Sequence, residues 1–402
     1  APMLVAVALV LGLGGCGTDG RRGDDVLSPA GTSSAIADRA GGSLPQIRLG
    51  AGVVILTSAD GIRALDATTG AQRWQTRTGR LSPDGRAAIT VQDGPASVTV
   101  TVIDAVTGAP RRTLALDAGT AIAAMSHNGD RMAVIPRVEV DPSTSLPAGR
   151  ASTRLQIVPT GASSTPPTTF VVPGNIVPEA FSVDAQALFV IEYLPAEHPD
   201  HYRVSAVDLQ SGRVVDVFTR DKQPLDESMQ GIGGAQTMSA DGRWLFTVYR
   251  EYGEHDETFI HALSLSGFGA ADCLDLPADQ GFGAGTVVAA NEDGSSIVAV
   301  SRTGVLAEVD NTKRLVTRLT PIGAAAPSAA AVGRHRVAVG TPTAVVLLDR
   351  SPMSEPQRRN LTPAATALTW TGDGSQLVVS DGRVARYVDV ATDAEVRVLG
   401  TA

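Results

Sequence analysis

From residue 45 onward the chain is a succession of short apolar stretches, each bounded by Asp, Gly, Ser or Thr. Typical stretches are AAITV after Ser82, MAVI after Ser126, ALFVI after Ser182, WLFTV after Ser239, IVAV after Asn291 and LVVS after Thr371. They are too short for helices, and their Val and Ile content suits strands. Several, such as VVIL, IVAV and VVLL, are apolar throughout, the pattern of a strand buried on both faces. No segment of this region sustains a 3.6-residue period. The prediction is an all-β fold.

Two turn types punctuate these strands. The first has the form Ser-x-Asp-Gly: SPDG at Ser82, SHNG at Ser126, SVDA at Ser182, SADG at Ser239, NEDG at Asn291 and TGDG at Thr371, with a weak copy, AVGR, at Ala331. Asp-Gly supplies the left-handed conformation that a tight turn between strands requires. The second type follows further along each unit: ALDATTG (Asp66), VIDAVTG (Asp104), QIVPTG (Gly161), AVDLQSG (Asp208), ALSLSG (Gly267), EVDNTK (Asp310), LLDRSP (Asp349) and YVDVAT (Asp389). An Asp opening such a turn accepts bonds from the backbone N–H groups ahead of it. Units of roughly 40 to 57 residues match the four-stranded blade of a β-propeller. Seven or eight blades fit, and the eight copies of the second turn favour eight. Residues 45–49, PQIRL, are expected as an outermost strand completing the eighth unit, and AEVRVLG at the C-terminus as an outer strand, with the ring closing by packing of the first blade on the last.

The N-terminus reads differently. Met3 to Leu13 is apolar and has the length of a signal-peptide core, too short to span a bilayer. It leads into Leu13-Gly14-Gly15-Cys16, which resembles the bacterial lipobox, an aliphatic residue and two small ones before a lipid-modified cysteine. The resemblance implies a signal peptide over residues 1–15 and an acyl chain, such as palmitate, on Cys16. No Lys or Arg precedes the apolar run. Residues 16–44, rich in Gly, Ser, Asp and Arg, have the composition of a flexible tether, and 45–402 form the propeller. With Cys16 acylated, Cys273 is the one remaining thiol, and its place among alternating apolar residues is that of a small hydrophobe.

Ala64-Leu65-Asp66-Ala67-Thr68-Thr69-Gly70, followed by Trp74, resembles the repeat of pyrroloquinoline-quinone enzymes, whose Trp docks one blade on the next. The later units are similar to the YVTN-type and WD-type propellers of bacterial envelopes. Quinone chemistry is not expected: the adjacent cysteine pair common in quinoprotein dehydrogenases is absent, and Arg112, Val217 and Val396 take the place of Trp74 in other units. Asp66, Gly70 and Trp74 are therefore assigned to the structural repeat.

Two extended segments stand apart from the repeat, in consecutive units and between the second and third strands: IEYLPAEHPDHYRV (191–204) and YREYGEHDETFIHA (249–262). They carry His198, His201, His255 and His261, the acids Glu192, Glu197, Asp200, Glu251, Glu254, Asp256 and Glu257, and four of the five tyrosines. Imidazole and carboxylate are ligands for zinc and similar ions, but the spacing matches no metal motif, so no metal is assigned. Tyrosine is enriched where proteins meet partners. Tyr193, His198, His201, Tyr202, Tyr249, Tyr252 and His255 thus form the candidate partner-binding rim, while His261 on an apolar strand reads as structural.

Composition narrows the function further. A net charge of −9, with basic charge carried almost wholly by Arg and Lys only at 222 and 313, does not suit nucleic acid. GIGG (231–234) and GFGAG (281–285) sit in or before strands, not before a helix, and no Gly-x-Ser-x-Gly elbow occurs. The expectation is a non-enzymatic, monomeric, cofactor-free scaffold. It would be lipid-anchored outside the cytoplasmic membrane and bind an envelope protein or cell-surface ligand. The alternative is a metal-dependent propeller hydrolase or lactonase.

Overall fold

The computed structural model describes residues 46–400 except 51, 142–143, 145, 162–164, 220–228, 230, 251–256, 324–325, 351–356, 361–364 and 393. Eight separate sheets follow one another along the chain, seven of four strands and one of five. They span residues 46–76, 80–117, 120–173, 175–216, 218–276, 287–321, 329–360 and 367–399, here blades one to eight. In each, the four main strands lie side by side in chain order and pair antiparallel. The fifth strand of blade five, Phe218–Thr219, pairs parallel with the outer edge of Ala270–Leu276. Among the described residues the helical content is one 3₁₀ turn, Ala278–Gln280, and no helix is long and apolar enough to cross a membrane. The molecule is an eight-bladed β-propeller.

Burial explains the unbroken apolar runs. The second strand of blade one, Val53–Ser58, is buried at its first five positions, and Ala187–Leu194 in blade four is buried at six of eight, because blades pack on both faces. Fourth strands, at the outer edge, alternate instead: Leu315–Pro321 exposes every second residue. With few aromatics, the core is mainly Val, Ile, Leu and Ala held between neighbouring blades. Its largest cluster joins blades three to five around Leu155, Phe189, Tyr202 and Tyr249.

The ring closes without exchanging a strand. Gln46–Gly50 is the first strand of blade one and packs beside Ala367–Trp370, the first strand of blade eight. Residues 45–49 are thus not the outer piece of blade eight, as the turn count had suggested. The pairing of this strand with Val53–Ser58 decides it, and Ile47 lies with Val54 and Leu65 of blade one against Val378, Tyr387 and Leu399 of blade eight. Arg397 fastens the outer part of this seam. Its guanidinium lies 4.0 Å from the centroid of the Tyr387 ring and donates to the Ala67 carbonyl at 2.8 Å.

Candidate functional site

In a four-stranded antiparallel blade, the first and third turns lie at one end and the second at the other. The described Asp- and Gly-marked turns therefore share one rim, and the 194–201 turn and the facing ends of Trp244–Arg250 and Thr258–Ser264 lie on the opposite rim.

The marked rim is built by local hydrogen bonding. In the first turn of blade two, Ser82 Oγ donates to Asp84 Oδ1 at 2.7 Å and accepts from Ala87 N at 2.9 Å, while Asp84 Oδ1 also accepts from Arg86 N at 2.9 Å. Ser182, Ser239 and Thr371 repeat the arrangement with Asp184, Asp241 and Asp373. The third turn of blade one centres on Asp66, which accepts from Thr68 N, Thr69 N and the Arg73 guanidinium at 3.0, 2.8 and 2.7 Å. The Arg73 bond, then those from the backbone, hold this carboxyl far below the usual range. Asp104 has the same set, and its Arg111 partner at 2.6 Å pulls it down to about 2.

Gly70 ends the Asp66 turn at φ 73°, where a Cβ would sit 3.1 Å from Leu399 Cα of blade eight. Trp74 lies over Gly108 of blade two and donates from its indole N–H to the Ala105 carbonyl at 3.1 Å. Asp66, Gly70 and Trp74 therefore belong to the turn and the seam between blades. Trp74 does have counterparts, which differ in chemistry and so escaped the sequence pattern. Phe170 lies over Gly212 in the same way, and Arg397, in the register of Trp74, donates to the Ala67 carbonyl of blade one.

The opposite rim is irregular. The longest link there is one that the sequence did not single out, 137–151 in blade three. It folds on itself through a Val140–Pro147 bridge and an Ala148 N to Glu139 O bond of 2.7 Å, then leans on the 194–201 turn of blade four. Arg150 N donates to Ala196 O at 2.9 Å, and its guanidinium donates to Asn175 Oδ1 and Ile176 O at 2.9 and 2.6 Å. Asn175, fully buried, donates in turn to Ala148 O and Ala196 O at 3.1 and 3.4 Å. The chains approach so closely that a Cβ at Gly149 would lie 1.8 Å from the Glu197 carbonyl oxygen. On the far side, Tyr202 exchanges two backbone bonds with Met229, of 3.0 and 2.7 Å. Blades three to five thus present one interlocked platform. Its sequence signal was weak: the blade three link has neither aromatics nor histidines to mark it.

The predicted rim residues fall into three groups. Tyr193, Tyr202 and Tyr249 are buried, at 5%, 4% and 0% exposure, and cannot meet a partner directly. They form a ladder beneath the platform, with ring centroids 5.7 Å apart for Tyr193 and Tyr202 and 5.8 Å for Tyr202 and Tyr249. The cause is strand parity, since Tyr193 shares a sheet face with Ile191 and Phe189 in a blade buried on both faces. His198 is exposed, and His201 is half-buried with Nδ1 against the Asp200 carboxylate. Tyr252 and His255 lie outside the described residues, as do Cys16 and the whole of 1–45.

His261 sits in the core at 3% exposure, edge-on to Tyr249. Glu192 serves the sheet, accepting from Arg203 Nε at 2.8 Å and Ser205 Oγ at 2.9 Å. Among the described residues no group of three or more His, Cys, Asp or Glu is placed to hold a metal ion.

No protein-family model matches the sequence, and no curated protein does. Solved structures do. One is the dihydro-heme d1 dehydrogenase NirN in complex with DHE, with a TM-score of 0.53 at 16% identity over 90% of this chain and 76% of that one. The Dos1 propeller gives a TM-score of 0.53 at 12% identity, covering 85% of this chain and 91% of that one. A eukaryotic initiation factor gives 0.50 at 11%, covering 87% and 84%. At these identities the likeness is one of fold.

Proposed function

We propose that this chain is a non-enzymatic protein-binding scaffold of the cell envelope, held outside the cytoplasmic membrane by an acyl chain on Cys16, and that the platform of blades three to five receives the partner. The interlocking of 137–151 with 194–201 carries this reading. Propeller blades need only short links between their second and third strands, and in blades one, six and seven these are short: Ser58 to Gly61, Val300 to Val305 and Gly340 to Ala344. Long links fixed by a buried Asn and a close Gly contact are costly to order, and binding surfaces are commonly loops held by a rigid scaffold. With the tyrosines beneath it, the contact surface falls to Glu139, Glu197, His198 and Asp200, all exposed. The first strand starts at this same rim, so a tether leading into Gln46 joins the ring on the platform side.

Cross-linking in intact membranes, followed by recovery of the protein, tests the platform. The wild type should capture a defined envelope protein that the double variant Glu197→Lys, Asp200→Lys loses, while Arg86→Glu on the other rim keeps it. An identical set of captured proteins in all three would exclude the platform as the binding face. Intact mass spectrometry of the membrane fraction tests the anchor: a mature N-terminus at Cys16 carrying acyl mass is expected, and an unmodified Cys16 would remove the anchor.

A further inference from the structure

The marked rim holds a half-buried cation, Arg48, that has no hydrogen-bonded or ion-paired partner among the described residues. Arg48, on the first strand of blade one, runs beside the first turn of blade two, where a Cβ at Gly85 would lie 3.3 Å from its Cγ. Its Nε is sealed from solvent with no hydrogen-bond acceptor, and among the described residues nothing accepts from the guanidinium. Burial lowers its pKa against the attraction of Asp84.

His127 adds a second unmet group. It projects from the first turn of blade three onto Gly242 of blade five, where a Cβ would stand 2.4 Å from Nδ1. That Nδ1 is also sealed and without a partner. Burial lowers the imidazole pKa, with Asp84 and Asp241 opposing and Arg48 and Arg86 reinforcing the effect.

The nearby carboxylates are already engaged. Asp84 is met by Ser82 Oγ, Arg86 N and the Arg86 guanidinium at 3.6 Å, and Asp241 by Ser239 Oγ, Arg243 N and the Arg243 guanidinium at 3.6 Å. Neither forms an ion pair with Arg48. These turns also meet through the backbone, with Asp84 N donating to His127 O at 3.0 Å, so the inner end of this rim is a fixed frame.

We propose that Arg48, with His127 beside it, binds a small oxyanion, a carboxylate or phosphate group, at the inner end of this rim. A planar guanidinium with unspent donors matches two oxygens of such a group in one geometry. Desolvating part of a cation without a partner is costly, which gives an anion its advantage over water. The imidazole, whose Nδ1 is packed against Gly242, can meet such a group through Nε2, a donor or acceptor as its tautomer requires. The site is independent of the platform on the opposite rim.

Isothermal titration with inorganic phosphate, and separately with acetate, at constant ionic strength tests this. One saturable site is expected in the wild type, weakened at least tenfold by Arg48→Met and severalfold by His127→Gln, with Arg86→Gln binding as the wild type does. Should Arg48→Met fail to fold, Arg48→Lys takes its place, since it keeps the charge but loses the fork and should also weaken binding. Absence of saturable binding to either probe in the wild type, or equal binding in the Arg48 and His127 variants, would overturn the proposal. Binding of phosphate alone or acetate alone would support it and identify the group.

Discussion

Gly149→Ala is the sharpest probe of the platform. The added methyl would stand 1.8 Å from the Glu197 oxygen and 2.4 Å from its carbonyl carbon, both backbone atoms that no side-chain rotation can move away. The 194–201 turn must therefore lift from 137–151. Three bonds depend on their contact: Arg150 N to Ala196 O, and the pair from Asn175 Nδ2 to Ala148 O and Ala196 O. At about 1 kcal/mol each, the weak 3.4 Å bond counting for less, the loss is about 2–3 kcal/mol. That corresponds to roughly 30- to 150-fold more frequent local opening. Blade seven does not include these atoms, so its own local openings should be unchanged. Hydrogen exchange with mass spectrometry resolves the two quantities, through peptides covering 137–151 and 194–201 against peptides from blade seven. Unchanged exchange at 194–201 would refute the interlock, and a cooperative loss of protection across all blades would show the platform to be part of the global fold.

Other substitutions test the frame. Trp74→Ala removes the ring over Gly108 and the bond to Ala105 O, and should cost about 2–4 kcal/mol in urea unfolding. Tyr202→Ala should cost about 3–5 kcal/mol, since the ring is buried between Tyr193 and Tyr249. Tyr202→Phe, losing only a 3.3 Å bond to Gly231 O, should cost about 1 kcal/mol or less. Asp104, held down to about 2 by Arg111, adds stability that is complete above the ordinary carboxylate pKa of about 4 and lost as pH falls through the folded value. Denaturant midpoints measured from pH 5 to pH 2 should therefore fall less steeply in Asp104→Asn than in the wild type. Parallel curves would contradict that coupling.

The parts of the fold that were legible in the sequence are those made locally. A Ser or Thr two residues before an Asp, and an Asp before Thr-Gly, fold their own turns, and so they mark hairpins wherever they fall. Eight copies of the second turn correspond to eight sheets, and the weak copy at Ala331 is a turn closed by Gly333 N and Arg336 O alone. What depends on distant chain was hidden. Ile47 looks like any strand residue until blade eight arrives beside it. Tyr193 and Tyr249 resembled contact residues because composition drew attention to them, although their parity with Phe189 and Leu245 pointed inward. Glu139 to Arg150 has no periodicity at all, and only the proximity of Ala196 and Glu197 gives it form. Arg48 sits in an ordinary polar position of a strand, and its isolation is visible only once the Gly85 turn lies over it.

The closure between Leu399 and Gly70 has a consequence for how such a chain can be divided. Each sheet is an uninterrupted run of sequence, so a cut in any link between blades leaves two pieces made of whole sheets. The seam of blades one and eight, joined through the side chains of Ile47, Tyr387 and Arg397, shows the kind of contact from which two such pieces could reassemble. A blade could likewise be gained or lost by duplication or deletion of one contiguous segment, with no strand left stranded in its neighbour.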